Sequence, residues 1–441
     1  MAVQNTNNTV IVMRNDDAII PNQASLHDTK QSASLTPKLR FKEFEREARY
    51  NSYKKYIFNE IFLFATGKNI KQREAAPEFK IPCVRYGELY HMYNEVIYEI
   101  INRTNLDKSE LHFSKGDEIL LPSAGEDPLD IGSASALTIA NVAIGRTINI
   151  LKPKKDNIYS QIYASYYINE KLRKKISTLA KGSSISNVYN SDLKNLEIIL
   201  PNLPEQQKIA TFLSAVDQKI NQLSKKKELL EQYKKGLMQR LFSGKLRFKD
   251  DEGKEYPVWE EKKLGEVMQI PKKVKPKNFD INKLLTVKLH TKGLFKNNNT
   301  ESLKLGATIY FVRKKGQFIY GKQNLFNGAF GIIPDKFDGF CSSGDIPSIE
   351  FKQKKVIPKF VLLFLSRKNY YSKLENIASG SGSKRIHENT FLEVEINFPC
   401  IEEQQKISNY LSAIDTKIES VNQQITQTQT FKKGLLQQMF V

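Results

Sequence analysis

Forty residues from the middle of the chain, LPEQQKIATFLSAVDQKINQLSKKKELLEQYKKGLMQRLF (Leu203 to Phe242), return at its end as Ile401 to Phe440. The shift is 198 residues without a gap, and 17 of the 40 aligned positions are identical. Apolar residues in the first copy fall at Ile209, Leu213, Val216, Ile220, Leu223, Leu230, Leu237 and Leu241, in steps of four and three where they are closest. The second copy keeps them at Ile407, Leu411, Ile414, Ile418, Val421, Ile425, Leu435 and Met439. This is the spacing of a coiled-coil seam. At two seam places the copies differ in opposite senses, Lys227 standing where Ile425 stands and Leu230 where Thr428 does. One such helix could lie on a globular core. Two matching stripes in one chain favour packing on each other, since each offers the other a complementary apolar edge. At 1.5 Å per residue each helix would be ~60 Å long, and the pair is predicted to be a spacer of fixed length.

The repeat is larger than the helix. KLRFK opens ordered sequence at Lys38 and returns at Lys245 to Lys249, just after the stop signal Ser243-Gly244. Each unit then runs through mixed α and β sequence before its long helix. Strand-like runs in the first unit are Ile81 to Arg85, Glu118 to Leu121 and Ala143 to Leu151, with a helical run from Ser160 to Ala180. In the second they are Leu284 to Leu289, Ala307 to Val312, Gln317 to Ile319 and Ser348 to Phe351, with a helical run from Pro358 to Ala378. The closing passages match again at the same shift: Ala180-Lys181-Gly182-Ser183 with Ala378-Ser379-Gly380-Ser381, and Leu196-Glu197-Ile198 with Val394-Glu395-Ile396. Between opening and closing the two share almost nothing. The expected fold class is therefore α+β: two similar mixed α/β recognition modules, at 38–200 and 245–398, and two long helices, at 201–244 and 399–441, packed as an antiparallel coiled coil. Residues 1–37 lack aromatics and are rich in Asn, Gln, Ser, Thr and Asp, the composition of a disordered extension. A duplicated frame with diverged interiors holds two modules alike and lets them read different things, so function is expected in the divergent loops.

Charge says what is read. Lys and Arg number 68 against 48 Asp and Glu, a formal net charge of +20, and 19 Tyr and 25 Phe lie among the basic residues in both halves. A polyanionic partner follows, and the interleaved aromatics favour nucleic acid over an acidic protein. The alternative is a merely basic, solvated surface. No run reaches the ~18–20 apolar residues of a membrane helix, and no short hydrophobic block opens the chain, so it is read as cytoplasmic. Cys83, Cys341 and Cys400 lie far apart with no CxxC pair, which supports neither a disulfide framework nor a zinc site.

Catalytic spacings are poor. Gly67-Lys68 and Gly321-Lys322 lack the rest of a phosphate-binding loop, and Ser379 to Ser383 follows a helix, the wrong place for a dinucleotide turn. The one nuclease-like pattern is Asp335 after Pro334 with Glu350-Phe351-Lys352, in which two carboxylates would hold Mg²⁺ and a lysine would orient water. It is the rival reading, a Mg²⁺-dependent endonuclease; the bland one is a turn and a surface strand. His27, His91, His112, His290 and His387 are scattered without metal-ligand spacing. No catalytic or metal residue is assigned. Candidate phosphate and base contacts are the glycine-serine turns closing each module, with Lys181, Ser183 and Ser184 in one and Ser383, Lys384 and Arg385 in the other. Small residues let backbone N–H groups approach phosphate and the cations supply charge; a helix C-cap with solvated charges is the plainer reading. Lys272, Lys273 and Lys275, Arg313 to Lys315 and Lys152 to Lys155 form further basic loops.

These residues carry a resemblance. LRFKEF and LRFKDDEGKEYPVWEEKKLGEV (Leu246 to Val267), the closing phrases LAKGSSISNVYNSDLKNLEIILPNLPEQQKIA and IASGSGSKRIHENTFLEVEINFPCIEEQQKIS, and the long helices resemble the specificity subunit of type I restriction-modification systems, from Lys38 to Val441. The chain departs from that pattern at residues 1–37 and around Arg49 to Phe64, where the second module has the more family-like Trp259-Glu260. The resemblance implies a non-catalytic subunit in which each of two target-recognition domains reads half of a split double-stranded DNA target, with the helices setting the gap. It also implies docking of two modification (methyltransferase) subunits and of restriction subunits, which carry S-adenosylmethionine, ATP and Mg²⁺, no cofactor being held by this chain.

Overall fold

A computed structural model describes residues 19–21, 36–46, 53–298, 308–352, 354–380 and 382–441. The chain divides into two compact units, residues 1–224 with 423–441 and residues 225–422. The long helices run Leu203–Phe242 and Ile401–Met439, so each unit holds part of both. Of residues 1–37, Ile19–Pro21 form a strand antiparallel to Leu39–Phe41; apart from Thr36 and Pro37, the remainder of that stretch lies outside the described residues, as do Ala307 and Ser381.

In the first unit a five-stranded sheet takes the order Phe62–Thr66, Ile148–Pro153, Glu118–Pro122, Ser135–Leu137, Val96–Ile97. Its middle strand, Glu118–Pro122, is buried along its whole length. The Glu118 carboxylate is tolerated there because the backbone N–H groups of Lys115, Gly116 and Asp117 donate to it at 2.8, 2.9 and 3.1 Å. The run Ala143 to Leu151, expected as one strand, is two. Ala143–Ile144 pairs in parallel with Ile81–Val84 in a separate three-stranded sheet, whereas Ile148–Pro153 joins the large one. The break falls where the Gly145 N–H donates to the Val84 carbonyl at 2.8 Å and Thr147 takes a φ of 67°. The helical run after Ser160 begins as Gln161–Tyr167, which buries Tyr163 and Tyr166 completely.

The second unit is built on a four-stranded sheet, ordered Met268–Gln269, Ser348–Phe351, Phe318–Tyr320, Phe330–Ile332. A hairpin, Leu285–Lys288 with Gly293–Lys296, and a pair, Tyr310–Val312 with Cys341–Ser343, accompany it. Pro358 opens the helix Pro358–Leu365, where its missing N–H costs nothing. That helix buries Phe360, Val361 and Leu365. Each fully buried side chain of this size contributes ~1.5–3 kcal/mol.

The seam residues root the helices as well as pairing them. In the first unit Ile209, Leu213 and Val216 share one core with Leu435 and Met439. In the second, Leu237 and Leu241 share one with Ile407, Leu411 and Ile414. The beginning of each helix meets the end of the other, so the pair is antiparallel. Leu223 and Val421 are buried too, whereas Ile220, Leu230, Ile418 and Ile425 are half buried. Lys227 answers its polar seam position by donating to the Asn422 side chain at 2.8 Å.

The repeated words of the sequence are contacts. Arg40 of the first KLRFK grips Glu205 of the first EQQK through two bonds of 2.6 and 2.7 Å, and Arg247 grips Glu403 through bonds of 3.2 and 2.6 Å. Tyr53 Oη and Trp259 Nε1 each donate to the same glutamate at 3.0 Å. Gln206 and Gln404 both tie the helix start, donating to the carbonyls of Pro201 and Pro399 at 2.8 and 2.9 Å. The edge-on ring pair Phe41 and Phe212 returns as Phe248 and Tyr410. Further along, Lys432 pairs with Asp217 at 2.8 Å and Lys234 with Asp415 at 2.5 Å, the same two positions of the repeat in reversed order. Even the divergent opening of the first module keeps the frame. Lys54–Ile57 pairs antiparallel with Glu197–Leu200 as Glu260–Lys263 does with Glu395–Phe398.

Candidate nucleic-acid interface

Each module closes in the same turn. Lys181 and Asn187 exchange both backbone hydrogen bonds, at 3.0 and 2.8 Å, and Ser379 and Arg385 do so at 2.9 and 2.8 Å. The segment between is pinched off, with Gly182 to Ile185 exposed in one and Gly380, Gly382, Ser383 and Lys384 in the other, and it carries Gly182 at φ 120° and Gly380 at φ 122°. Only glycine fits. A Cβ would sit 2.2 Å from the Ile185 carbonyl oxygen in one turn and 2.6 Å from that of Ser383 in the other. Gly380→Ala is therefore expected to cost ~1–3 kcal/mol of stability. A urea melt checks it, and an unchanged midpoint would show that the turn tolerates a side chain there.

In the first unit Ser183 and Ser184 are exposed on this turn, with Ile185 and Tyr189 beside them. Lys181 does not stand free. Its ammonium donates to Asp192 at 2.8 Å, and the Tyr189 N–H donates to the same carboxylate at 2.9 Å. The Lys181 hydrogen bond, with the backbone one, holds Asp192 below the usual carboxylate range.

In the second unit the structure brings together residues that the sequence scatters. Ser383 and Lys384 are exposed, and Lys384 donates to Glu375 at 2.7 Å. Arg385 donates to Asp345 at 3.3 Å, and with the Gln323 amide oxygen turned toward it, to Gln323 at 2.8 Å. Lys322 donates its backbone N–H to the Asp345 carbonyl at 2.9 Å and pairs through its ammonium with Glu388 at 3.0 Å. Lys273 reaches the same carboxylate at 3.4 Å. Burial works against the charge on Glu388, but its backbone hydrogen bond and Lys322 keep it below the usual range. The result is a patch of alternating sign, Lys273, Lys322 and Arg385 held by Asp345 and Glu388.

Arg313, expected among the exposed contacts, is buried at 3% exposure. Its guanidinium donates to Ser342 Oγ at 2.7 Å, Ser348 Oγ at 3.2 Å and the carbonyls of Ser343 and Ile346 at 3.2 and 3.0 Å. Burial lowers its pKa to about 10 against the opposing pull of Cys341 and the Glu388 carboxylate, so it stays charged. Arg313 thus shapes the loop that carries Asp345 and does not face solvent. Lys272, Lys275 and Lys314 are exposed as expected. Lys152 instead lies 2.9 Å from His112 Nε2, and Lys154 donates to the Asn59 carbonyl.

The nuclease-like residues do not converge. Asp335 lies 3.5 Å from Lys315, Glu350 accepts from Gln317 at 3.0 Å, and the Lys352 ammonium is held by the Gly265 carbonyl. Among the described residues no group of three or more His, Cys, Asp or Glu side chains could hold a metal, and no helix is long and apolar enough to cross a membrane. The three cysteines are free thiols. Asp345, Glu388, Lys322 and Gln323 were missed by sequence reasoning. Only Gly344-Asp345, a turn dipeptide, signalled a loop there.

Residues 51–232 and 258–429 match the family model of the type I restriction modification DNA specificity domain. The type I restriction enzyme MjaVIII specificity subunit of Methanocaldococcus jannaschii is 26% identical over 324 residues, covering 70% of this chain and 76% of that one. The StySPI specificity subunit of Salmonella potsdam is 20% identical over 388 residues, covering 82% and 81%. Among solved structures, the type I restriction-modification S subunit from M. genitalium aligns with a TM-score of 0.60 at 17% identity, over 92% of this chain and 99% of that one, a likeness of fold.

Proposed function

This chain belongs to the type I restriction-modification DNA specificity family, as a specificity subunit that reads DNA within a complex, and from that membership we propose that it recognises a split target, one short block per module. The observation that carries the reading is the paired turn. The same glycine-pinned loop is presented twice by one repeated frame, while its neighbours differ: exposed Ile185 and Tyr189 in the first unit, the mixed-sign patch around Arg385 in the second. Lys181, Ser183, Ser184, Lys272, Lys273, Lys275, Lys314, Ser383, Lys384 and Arg385 are the proposed DNA contacts, and Arg313 is the residue that positions one of their loops. The long helices fix the unspecified gap between the blocks.

Bond-making belongs to partners. Two modification subunits would dock and bring S-adenosylmethionine, and restriction subunits would bring ATP-driven translocation and cleavage with Mg²⁺, all in the cytoplasm. Base-modification sequencing of cells with and without the chain tests this. A two-block methylated motif is expected to vanish with the chain; a motif that persists would defeat the reading. Binding should also be steeply salt-dependent, with ~0.9 in the slope of log K against log salt for each phosphate neutralised. Flat binding between low and moderate salt would contradict it.

A further inference from the structure

The second unit contains an open cleft of about 1210 Å³ whose lining holds seven Lys and Arg side chains against two acids, Glu231 and Asp415. Asp415 is already paired with Lys234 at 2.5 Å and lies 3.9 Å from Lys359. Lys235, Lys336, Lys368 and Lys373 are exposed and make no ion pair among the described residues. Arg367 is half buried on the same wall. Its guanidinium lies 4.1 Å from the Phe364 ring centroid, 4.7 Å from that of Phe242 and 5.3 Å from that of Tyr370, with Nε donating to the Phe364 carbonyl at 3.0 Å. No carboxylate among the described residues pairs with it. Burial lowers its pKa to about 10, which leaves it charged. A desolvated arginine fixed among rings, facing a cleft of unpaired lysines, is a positive field without its counter-charge.

We propose that this cleft is a phosphodiester track, in which the backbone of the DNA duplex beside the second module's block is held by Arg367 and the surrounding lysines. The inference rests on the DNA reading of the chain and extends it to a surface outside the readout turns. Continuity along the chain favours DNA over an acidic protein segment. Arg367, Lys368 and Lys373 are followed directly by Glu375, whose carboxylate holds Lys384 of the readout turn at 2.7 Å. The strip of charge therefore leads into the residues proposed to face bases. Flexible lysines also suit phosphate, which they meet as point charges without sequence preference. The two modules differ in charge at this place of the repeat. In the first unit the lysine matching Lys234 is Lys432, which is bound by Asp217 at 2.8 Å and also by Glu95 at 2.9 Å.

The test is the full chain carrying Lys235→Gln, Lys336→Gln and Lys373→Gln together, three exposed positions, compared with the unaltered chain on target and non-target duplexes over a salt series. The salt slope is expected to fall by about 3, and affinity for both duplexes to fall by a common factor, leaving their ratio unchanged. A slope unchanged in the triple variant, while the unaltered chain shows its full salt dependence, would overturn the track alone. So would retained DNA binding with lost assembly onto a modification subunit, the result expected of a groove for an acidic helix. If the unaltered chain binds no duplex at low salt, the DNA reading itself falls.

Discussion

Arg40→Met is expected to lower the unfolding free energy of the first unit by ~3–5 kcal/mol, the usual cost of removing one partner from a buried ion pair. Glu205 is 0% exposed and the Arg40 side chain 4%, and their two bonds of 2.6 and 2.7 Å are the bidentate form that arginine makes best. Removing the guanidinium leaves the carboxylate, among the described residues, with the Tyr53 hydroxyl as its side-chain donor, at 3.0 Å. A buried carboxylate left without its cation is costly, and the start of the helix at Leu203 loosens. Arg247→Met should cost less, because that side chain is 21% exposed and water screens what remains. Urea unfolding, analysed for two transitions because the chain has two units, reads both. The double change Arg40→Met with Glu205→Leu should recover most of the loss, since apolar replacement of a whole buried pair is close to neutral. A loss below ~1 kcal/mol for Arg40→Met would mean that the pair is not what holds the module to its helix.

That pair also shows what a sequence can and cannot tell. KLRFK and EQQK were visible as repeated words. Arg40 and Glu205 lie 165 positions apart, and periodicity says nothing about contacts at that distance. The long helices were legible because a seam recurring every three or four residues is written over forty positions. The interiors were not, since strands such as Val96–Ile97 have two residues and are defined by partners elsewhere in the chain. Arg313 misled for the same reason. Beside Lys314 and Lys315 it looks like part of a solvated run, and it is the acceptors of Ser342, Ser343, Ile346 and Ser348, about thirty residues on, that make its burial tolerable. The turns closing each module were legible through one property. Gly182 and Gly380 stand at matching places because no other residue accepts that backbone.

Inserting one heptad into both long helices, after Ser224 in the first and after Asn422 in the second, is expected to lengthen the gap between the two DNA blocks by about three base pairs and leave the blocks unchanged. Seven residues preserve the seam spacing, so the half-turn stripes that root each helix keep their faces. The insertion adds ~10 Å at 1.5 Å per residue, and DNA rises ~3.4 Å per base pair along its axis. The contacts Lys432 with Asp217 and Lys234 with Asp415 lie on either side of the insertion points, each wholly within its own unit, so both survive it. Turning the duplex by three base pairs rotates the second block by ~100° about the DNA axis, which must be met by twist in the duplex or the helices, and affinity should fall. The methylated motif of cells carrying the lengthened chain reads gap and blocks together. An unchanged gap would show that something other than these helices measures the distance, and altered blocks would show that the modules do not read their sequences independently of the helices that carry them.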